Sequence, residues 1–265
     1  MNILDKIVAQ KKIEIELAKQ AVSIKQLEQT EFFKRSTISI TSNILQGNST
    51  GIIAEFKRKS PSKGIINDTS KVLDVVKQYE IAGVSACSIL TDELFFGGNK
   101  QDILTVRNEL NVPILRKDFM IDEYQFIEAK AIGADVVLLI ASILSPKQVK
   151  DFTELARSLQ LEVLLELHDE TELNHVCDDV HMVGINNRNL KTFEVDIEQS
   201  IRMANKLGND FVKIAESGIS NISTLKHFKQ NGFQGFLIGE NFMKTTNPAL
   251  AIREFVEKMK NLQSV

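Results

Sequence analysis

The sequence is poor in cysteine and lacks the local clusters of side chains that hold metal ions. Its two cysteines, Cys87 and Cys177, are too few and too isolated for a disulfide framework or a CxxC metal knuckle. The four histidines are scattered along the chain. We therefore predict neither a disulfide nor a metal site.

Long apolar runs and long runs of one charge are also missing. No apolar stretch reaches the roughly 18 residues of a membrane span, and residues 1–20 alternate charge with apolarity where a signal peptide would have an unbroken apolar core. The 35 acidic and 32 basic side chains give a formal charge of −3, without the basic patch that nucleic-acid binding requires. The sequence predicts a cytoplasmic protein with neither a membrane nor a nucleic-acid partner.

What the sequence does contain is a regular alternation of short β-branched runs with helix-length amphipathic segments. This alternation is typical of parallel βα units. Several runs, such as VVLLIA, are apolar at nearly every position, as strands are when both of their faces are buried. The eight runs begin at Gly51, Val84, Val112, Asp135, Leu161, His181, Phe211 and Gly235.

Eight βα units in 265 residues predict an α/β fold, a (β/α)8 TIM barrel, whose usual length is about 250 residues. Residues 1–48 precede the first strand, and two stretches within them, at 3–20 and 40–46, have helical spacing. We expect a single domain over 1–265, with an N-terminal helical extension at 1–48 and the barrel at 49–265. Helix-boundary signals between strands are Thr69 or Ser70, Ser145 with Pro146, Ser220, and Gly232 as a C-terminal cap.

Charged side chains recur where the predicted strands end, which is the catalytic face of such barrels. Glu55 and Lys57 are two residues apart on the first strand, so both should point into the barrel. Other strands end in Lys117, Glu166, Asn186 and Glu216. Any one Lys–Glu pair could be a core ion pair, but burying the whole set is costly and favours a functional site.

The last two strands end in sequences that suit an anion. Ser217-Gly218 and Gly239-Glu240 each precede a predicted helix, whose first amides lack partners within the helix. Loops after strands seven and eight form phosphate sites in many barrel enzymes, with glycine allowing close approach. We predict a small phosphorylated substrate.

Three other features have less specific interpretations. His168 ends a strand but precedes an Asp-Glu-Thr-Glu run, which favours a loop or capping histidine over a general base. Cys87 fits a strand core better than a nucleophile. Phe95 and Phe96, beside Gly97-Gly98, could stack on a ligand or fold over a helix end.

The segment IIAEFKRKSPSKG closely resembles the first-strand signature of the indole-3-glycerol-phosphate synthase family. The resemblance continues in order through LTDELFFGG, PILRKDFMIDEYQ, AIGADVVLLIA, LLELHDETEL, GINNRNL, IAESGI and FLIGENFM, and it covers practically the whole chain. It implies a carbon-carbon lyase of tryptophan biosynthesis that needs no cofactor. Such an enzyme converts 1-(2-carboxyphenylamino)-1-deoxyribulose 5-phosphate to indole-3-glycerol phosphate with loss of carbon dioxide and water.

The resemblance also implies roles for the catalytic residues. Lys117 would be the general acid that promotes attack of the aromatic ring carbon on the carbonyl, and Glu166 the general base of the later dehydration. Lys57 would contact the anionic substrate and could share the general-acid role with Lys117, while Glu55 and Glu216 would keep the lysines charged and oriented. The remaining implied contacts are Asn186 to the ribulose hydroxyls, Ser60 to the anthranilate carboxylate, Phe96, Phe119 and Leu138 around its ring, and Arg188, Ser217, Gly218, Gly239 and Glu240 elsewhere on the substrate.

Three positions depart from the family pattern, namely Asn189, Ala215 and Asn99, and we expect them to affect details and rate only. Two other functions remain open. One is a different phosphosugar reaction, by an isomerase or by an aldolase that uses Lys117 to form a Schiff base. The other is a phosphosugar-binding barrel without catalysis. We expect the chain to be a monomer or a weak homo-oligomer.

Overall fold

Eight parallel strands close into a barrel in a computed structural model that describes residues 2–188, 194–208 and 210–263. Each strand pairs with its neighbours in chain order, and the eighth pairs with the first. The predicted barrel and all eight predicted strands are confirmed. The strands are β1 (Ile52–Phe56), β2 (Ala86–Leu90), β3 (Ile114–Lys117), β4 (Val136–Ile140), β5 (Glu162–Leu167), β6 (Met182–Asn186), β7 (Val212–Glu216) and β8 (Gly235–Ile238).

The continuous apolar run of β4 shows why these strands do not alternate between apolar and polar residues. Val136 and Leu138 belong to the core inside the barrel, whereas Val137 and Leu139 belong to the core between the barrel and its helices. All four are buried. Both faces of the strand are therefore covered by apolar side chains, each contributing about 1.5–3 kcal/mol by burial.

The helices that surround the barrel alternate with its strands. They are α4 (Val72–Ala82), α5 (Glu93–Phe96), α6 (Lys100–Arg107), α7 (Glu123–Ile132), α8 (Pro146–Ser158), α9 (Ile197–Lys206), α10 (Ile222–Gln230), α11 (Glu240–Met243) and α12 (Pro248–Gln263). Short 3-10 helices cover Ala141–Ile143 and Glu170–His175. A two-stranded hairpin, Lys59–Ser60 with Gly64–Ile65, follows β1.

Some helix-boundary predictions are confirmed. Ser145 caps α8, with Pro146 as its first residue, and Gly232 lies just after α10 with a positive φ of 83°. Cys87, as predicted, is buried within a strand, and it packs in the core beneath the helices.

The other helix-start predictions are wrong by one or two residues. Lys71 takes the N-cap position of α4 without a side-chain hydrogen bond, and the backbone N–H of the preceding Ser70 donates to Asn67 Oδ1 in the loop before the helix. Asn221, not Ser220, caps α10 by accepting a hydrogen bond from the backbone N–H of Thr224.

The predicted helical extension is also confirmed, and it covers both ends of the barrel. It contains α1 (Ile3–Ala21), α2 (Ile24–Leu27), a 3-10 turn (Phe32–Lys34) and α3 (Ile40–Leu45). The first residue of β5, Glu162, accepts hydrogen bonds from the backbone N–H groups at the start of α3. α3 therefore closes the end of the barrel where strands begin.

α1 lies at the opposite end, where the strands finish. Ile7 is buried in the inner barrel core, and the ammonium of Lys11 pairs with Asp92 at 3.0 Å and with Asp118 at 2.9 Å. Both aspartates lie just after strands, β2 and β3. Across the described part of the chain, no helix combines the length and apolarity that crossing a membrane requires.

Candidate active site

A cavity of about 330 Å³ opens where the barrel strands end. Every residue that the sequence assigned to the site lines this cavity. They are Glu55, Lys57, Ser60, Phe96, Lys117, Phe119, Leu138, Glu166, Asn186, Arg188, Glu216, Ser217, Gly218, Gly239 and Glu240. Closure of the barrel thus brings together residues from all eight strands or the loops after them.

Lys117 lies between two buried carboxylates. Its Nζ donates to Oε2 of Glu166 at 2.9 Å and lies 3.7 Å from Oε2 of Glu216. Glu166 and Glu216 are at most 4% exposed. Side chains drawn from β3, β5 and β7 therefore meet around one ammonium group.

The protonation states of the three groups follow from burial and from each other. Burial alone would lower the pKa of Lys117, but the carboxylates of Glu166 and Glu216 outweigh it and hold that pKa above its ordinary value. Burial would raise the pKa of Glu166, yet Lys117 and His168 keep it well below the usual range. For Glu216, burial and the neighbouring Glu166 raise the pKa to about 8. At neutral pH the site contains a cation, an anion and a neutral carboxyl.

A second Lys–Glu pair stands on the adjoining wall of the cavity. Lys57 Nζ lies 2.7 Å from Glu55 Oε1, as their spacing of two residues predicts. Gly239 at the end of β8 makes room for this pair, since a Cβ there would lie 2.5 Å from Glu55 Oε1. Glu55 therefore requires that position 239 carries no side chain.

Polar residues at the end of β6 form a series of hydrogen bonds. Asn186 donates from Nδ2 to Oε1 of Glu166 at 2.9 Å, and its own Oδ1 accepts from the backbone N–H of Arg188 at 3.1 Å. The guanidinium of Arg188 reaches Glu240 at 3.4 Å. Asn186 is therefore held at both ends of its amide, with Glu166 as one of its partners.

The loops after β7 and β8 line the part of the cavity where the sequence predicts an anion. Ser217 and Gly218 both have positive φ, of 65° and 72°. A Cβ on Gly218 would lie 2.5 Å from the side chain of Val195, so glycine is required there. Lys244, which sequence reasoning did not select, also lines the cavity and adds a positive charge to this wall.

The opposite part of the cavity is apolar. The rings of Phe96 and Phe119 pack 5.8 Å apart, and Leu138 lies beside them in the inner core. Phe96 is the last residue of α5 and lines the cavity, so contact with a ligand stays a prediction. α1 adds Ile3, Leu4 and Ile7 to the lining, a contribution that its helical pattern did not reveal.

His168 corrects an expectation from the sequence. It lies in the loop just after β5, which fits the loop interpretation, but Asp169 and not His168 caps the next helical turn, and the His168 ring lines the cavity. Its Nε2 lies 3.0 Å from Glu166 Oε1. Glu166 and His168 are two residues apart, as Glu55 and Lys57 are. The same alternation along a strand could therefore have predicted that His168 faces the cavity.

Two of the three departures from the family pattern lie outside the lining. Asn99 accepts a hydrogen bond from the backbone N–H of Gln101 and caps α6. Ala215 is fully buried in the core beneath the helices. Asn189 lies outside the residues that the structure describes.

Comparison with known proteins identifies the family. The family model for indole-3-glycerol phosphate synthase matches residues 4–255. An indole-3-glycerol phosphate synthase of Bacteroides thetaiotaomicron is 48% identical over 98% of this chain and 99% of its own length. One of Campylobacter fetus subsp. fetus is 42% identical over 95% of this chain and 98% of its own length. A crystal structure of 3-hexulose-6-phosphate synthase from Salmonella typhimurium covers 79% of this chain and 98% of its own, with a TM-score of 0.63 and 12% identity, and supports the fold alone.

Proposed function

The chain belongs to the indole-3-glycerol phosphate synthase family, and from that premise we propose how its cavity divides the work of ring closure. The chain is a carboxy-lyase of tryptophan biosynthesis. Its substrate, 1-(2-carboxyphenylamino)-1-deoxyribulose 5-phosphate, gives indole-3-glycerol phosphate, carbon dioxide and water.

Lys117 acts as the general acid of the first step. When the aromatic ring carbon attacks the ribulose carbonyl, negative charge grows on the carbonyl oxygen, and a positioned ammonium stabilises that charge and donates its proton. The observation that carries this proposal is the Lys117 ammonium held at 2.9 Å and 3.7 Å from two buried carboxylates. These contacts keep the lysine charged before the reaction, as an acid requires.

Glu166 acts as the general base of the dehydration. It is ionised at neutral pH because Lys117 outweighs the effect of burial and keeps its pKa low. Once Lys117 has given its proton to the substrate, its hold on Glu166 weakens and the carboxylate becomes a better proton acceptor. The two steps are thereby coupled, since acid action by the lysine activates the base.

The remaining groups bind the substrate. Lys57, paired with Glu55, contacts an anionic group of the substrate, and the Gly218 and Gly239 loops receive the phosphate. Phe96 and Phe119 enclose the anthranilate ring, where exclusion of water strengthens each charged contact.

The test is the conversion of the carboxyphenylamino-ribulose phosphate by purified protein, followed by indole fluorescence. Lys117→Ala and Glu166→Gln should each lower kcat by about 10²- to 10⁴-fold, with little change in binding of the product. Lys147→Ala, at a lysine 81% exposed on α8, is the control and should leave kcat unchanged. Full activity in either site variant would remove the mechanism.

A borohydride experiment separates this reaction from a Schiff-base aldolase. The lyase forms no covalent adduct through Lys117, so substrate and borohydride together should leave the mass of the protein unchanged. A stable adduct on Lys117 would favour the aldolase. We further propose that the chain works in the cytoplasm as a single domain, and as a monomer or weak homo-oligomer, which sedimentation at micromolar concentration would test.

A further inference from the structure

One charged group in the cavity is not used by the proposed mechanism. His168 follows β5 and is only 8% exposed in its side chain. Its ring lies between two carboxylates, with Nε2 3.0 Å from Glu166 Oε1 and Nδ1 3.8 Å from Glu172 Oε2. A histidine placed in this way is doubly protonated, since each ring nitrogen faces an acceptor.

The far side of the ring is held by a network of its own. Ser142 lies 3.2 Å from Nδ1 and donates to Glu172, and Glu172 also accepts from the backbone N–H of His168 at 2.6 Å. Ser142 and Glu172 belong to two different 3-10 helices, after β4 and β5. The ring is thus fixed from outside the cavity, and its Nε2 lies beside Glu166 Oε1.

The two carboxylate oxygens of Glu166 have different partners. Oε1 lies near His168 and accepts from Asn186, whereas Oε2 accepts from Lys117. The contacts to Oε1 do not depend on the reaction. The contact to Oε2 weakens when Lys117 gives up its proton.

We propose that His168 is a positioning residue that holds Oε1 of Glu166, so that Oε2 is the oxygen that accepts the proton during dehydration. This inference rests on the proposed function of Glu166. It assigns to His168 the orientation of the base and leaves the proton transfer itself to Glu166.

The charges around His168 argue against an independent acid-base role. Burial alone would lower the pKa of His168, but Glu166 and Glu172 outweigh it and raise the pKa to about 10. The ring is therefore charged near neutral pH and has no free nitrogen with which to accept a proton. The other titratable groups near the Glu166 carboxylate are Lys117 and Glu216. Lys117 lowers the pKa of Glu166, and the charges of Glu166 and Glu216 repel each other.

Two substitutions separate the contact that Nε2 makes with Glu166 from the charge of the ring. His168→Leu removes both, and should lower kcat by about 10- to 100-fold with KM changed less than about threefold, as expected when a reacting group is misplaced. His168→Gln keeps an amide donor near the Nε2 position without the charge, and should recover part of kcat. In both variants the acidic limb of the kcat profile should move to higher pH, because Glu166 loses a cation.

The matched control is the other His–Glu pair of similar geometry. His227 Nε2 lies 2.9 Å from Glu198 Oε1, but both side chains are exposed. His227→Leu should leave kcat, KM and the pH profile unchanged. Thermal unfolding of each variant shows whether a loss of activity reflects loss of the fold. If His168→Leu does not fold, the same measurements are made on His168→Gln.

The decisive experiment is a double-mutant cycle with Glu166→Gln. If His168 acts through Glu166, His168→Leu should cost less than about threefold when Glu166 is already replaced. An equal fold-loss in both backgrounds, or unchanged kcat and pH profile in the single variants, would overturn the inference. Absence of indole product from the unmodified chain would instead refute the proposed function.

Discussion

Lys11 of α1 and Asp118, which follows Lys117, form a buried ion pair of 2.9 Å at the mouth of the barrel. Asp118 is further held by Thr91 at 2.6 Å and by Arg116 at 3.2 Å. The N-terminal helix is therefore joined to the residue next to the proposed general acid. Its position over the cavity and the geometry of the Lys117 site depend on the same carboxylate.

Replacing Lys11 with methionine should destabilise the protein and loosen α1. The substitution leaves Asp92 and Asp118 without this counterion in a buried place, which costs about 3 kcal/mol. Urea unfolding measures the change in the free energy of unfolding. In limited proteolysis, α1 of the variant should be cleaved faster than α1 of the unmodified chain. The control is Lys19→Met, whose pair with Asp122 is about one-third exposed on each side and should cost less than about 1 kcal/mol. Equal costs for the two substitutions would contradict the buried role of Lys11.

Glu216 should make stability depend on pH. Because burial and Glu166 raise its pKa to about 8 from 4.5, folding takes up a proton between those values. The resulting stabilisation is complete below about pH 4.5 and is lost as pH rises through 8. Relative to Glu216→Gln, which cannot titrate, the native chain should lose stability over this interval by at most about 1.4 kcal/mol per pH unit. Chemical denaturation at pH 5, 6, 7 and 8 measures the difference, and parallel curves would exclude the raised pKa.

Gly184 on β6 should be required for the position of Glu216. A Cβ at Gly184 would lie 2.1 Å from Glu216 Oε1, which is closer than any contact allows. Gly184→Ala should therefore displace this carboxyl from Lys117 and lower kcat by at least about tenfold. Gly47→Ala is the control, because a Cβ there meets nothing within 4 Å. Unchanged kcat in Gly184→Ala would mean that Glu216 can shift without consequence.

The features of the site that were predictable from the sequence are those that follow from strand geometry. Alternation along a strand places Glu55 and Lys57 on one side, and the shared polarity of parallel strands brings Lys117, Glu166 and Glu216 to one end. The continuous apolar run of β4 likewise predicted a strand that is covered on both faces. Each of these inferences needs only a local pattern and the closed barrel.

The features that were not predictable depend on contacts between distant segments. No local pattern shows that Lys11 pairs with Asp92 and Asp118, because many lysines could neutralise those aspartates. The role of His168 depends on Glu172, which a 3-10 turn brings back toward the end of β5. The start of α4 was misplaced because its N-cap, Lys71, is not one of the usual capping residues and makes no side-chain cap hydrogen bond.

The most direct test of the central claim follows carbon dioxide and indole in a single turnover. In the proposed mechanism Lys117 acts before decarboxylation and Glu166 after it, so Lys117→Met should form neither product at an appreciable rate. Glu166→Gln should release carbon dioxide from labelled substrate while indole fluorescence lags by about 10²-fold or more. Loss of carbon dioxide release and of indole in equal measure in Glu166→Gln would contradict the assignment of acid and base to separate steps.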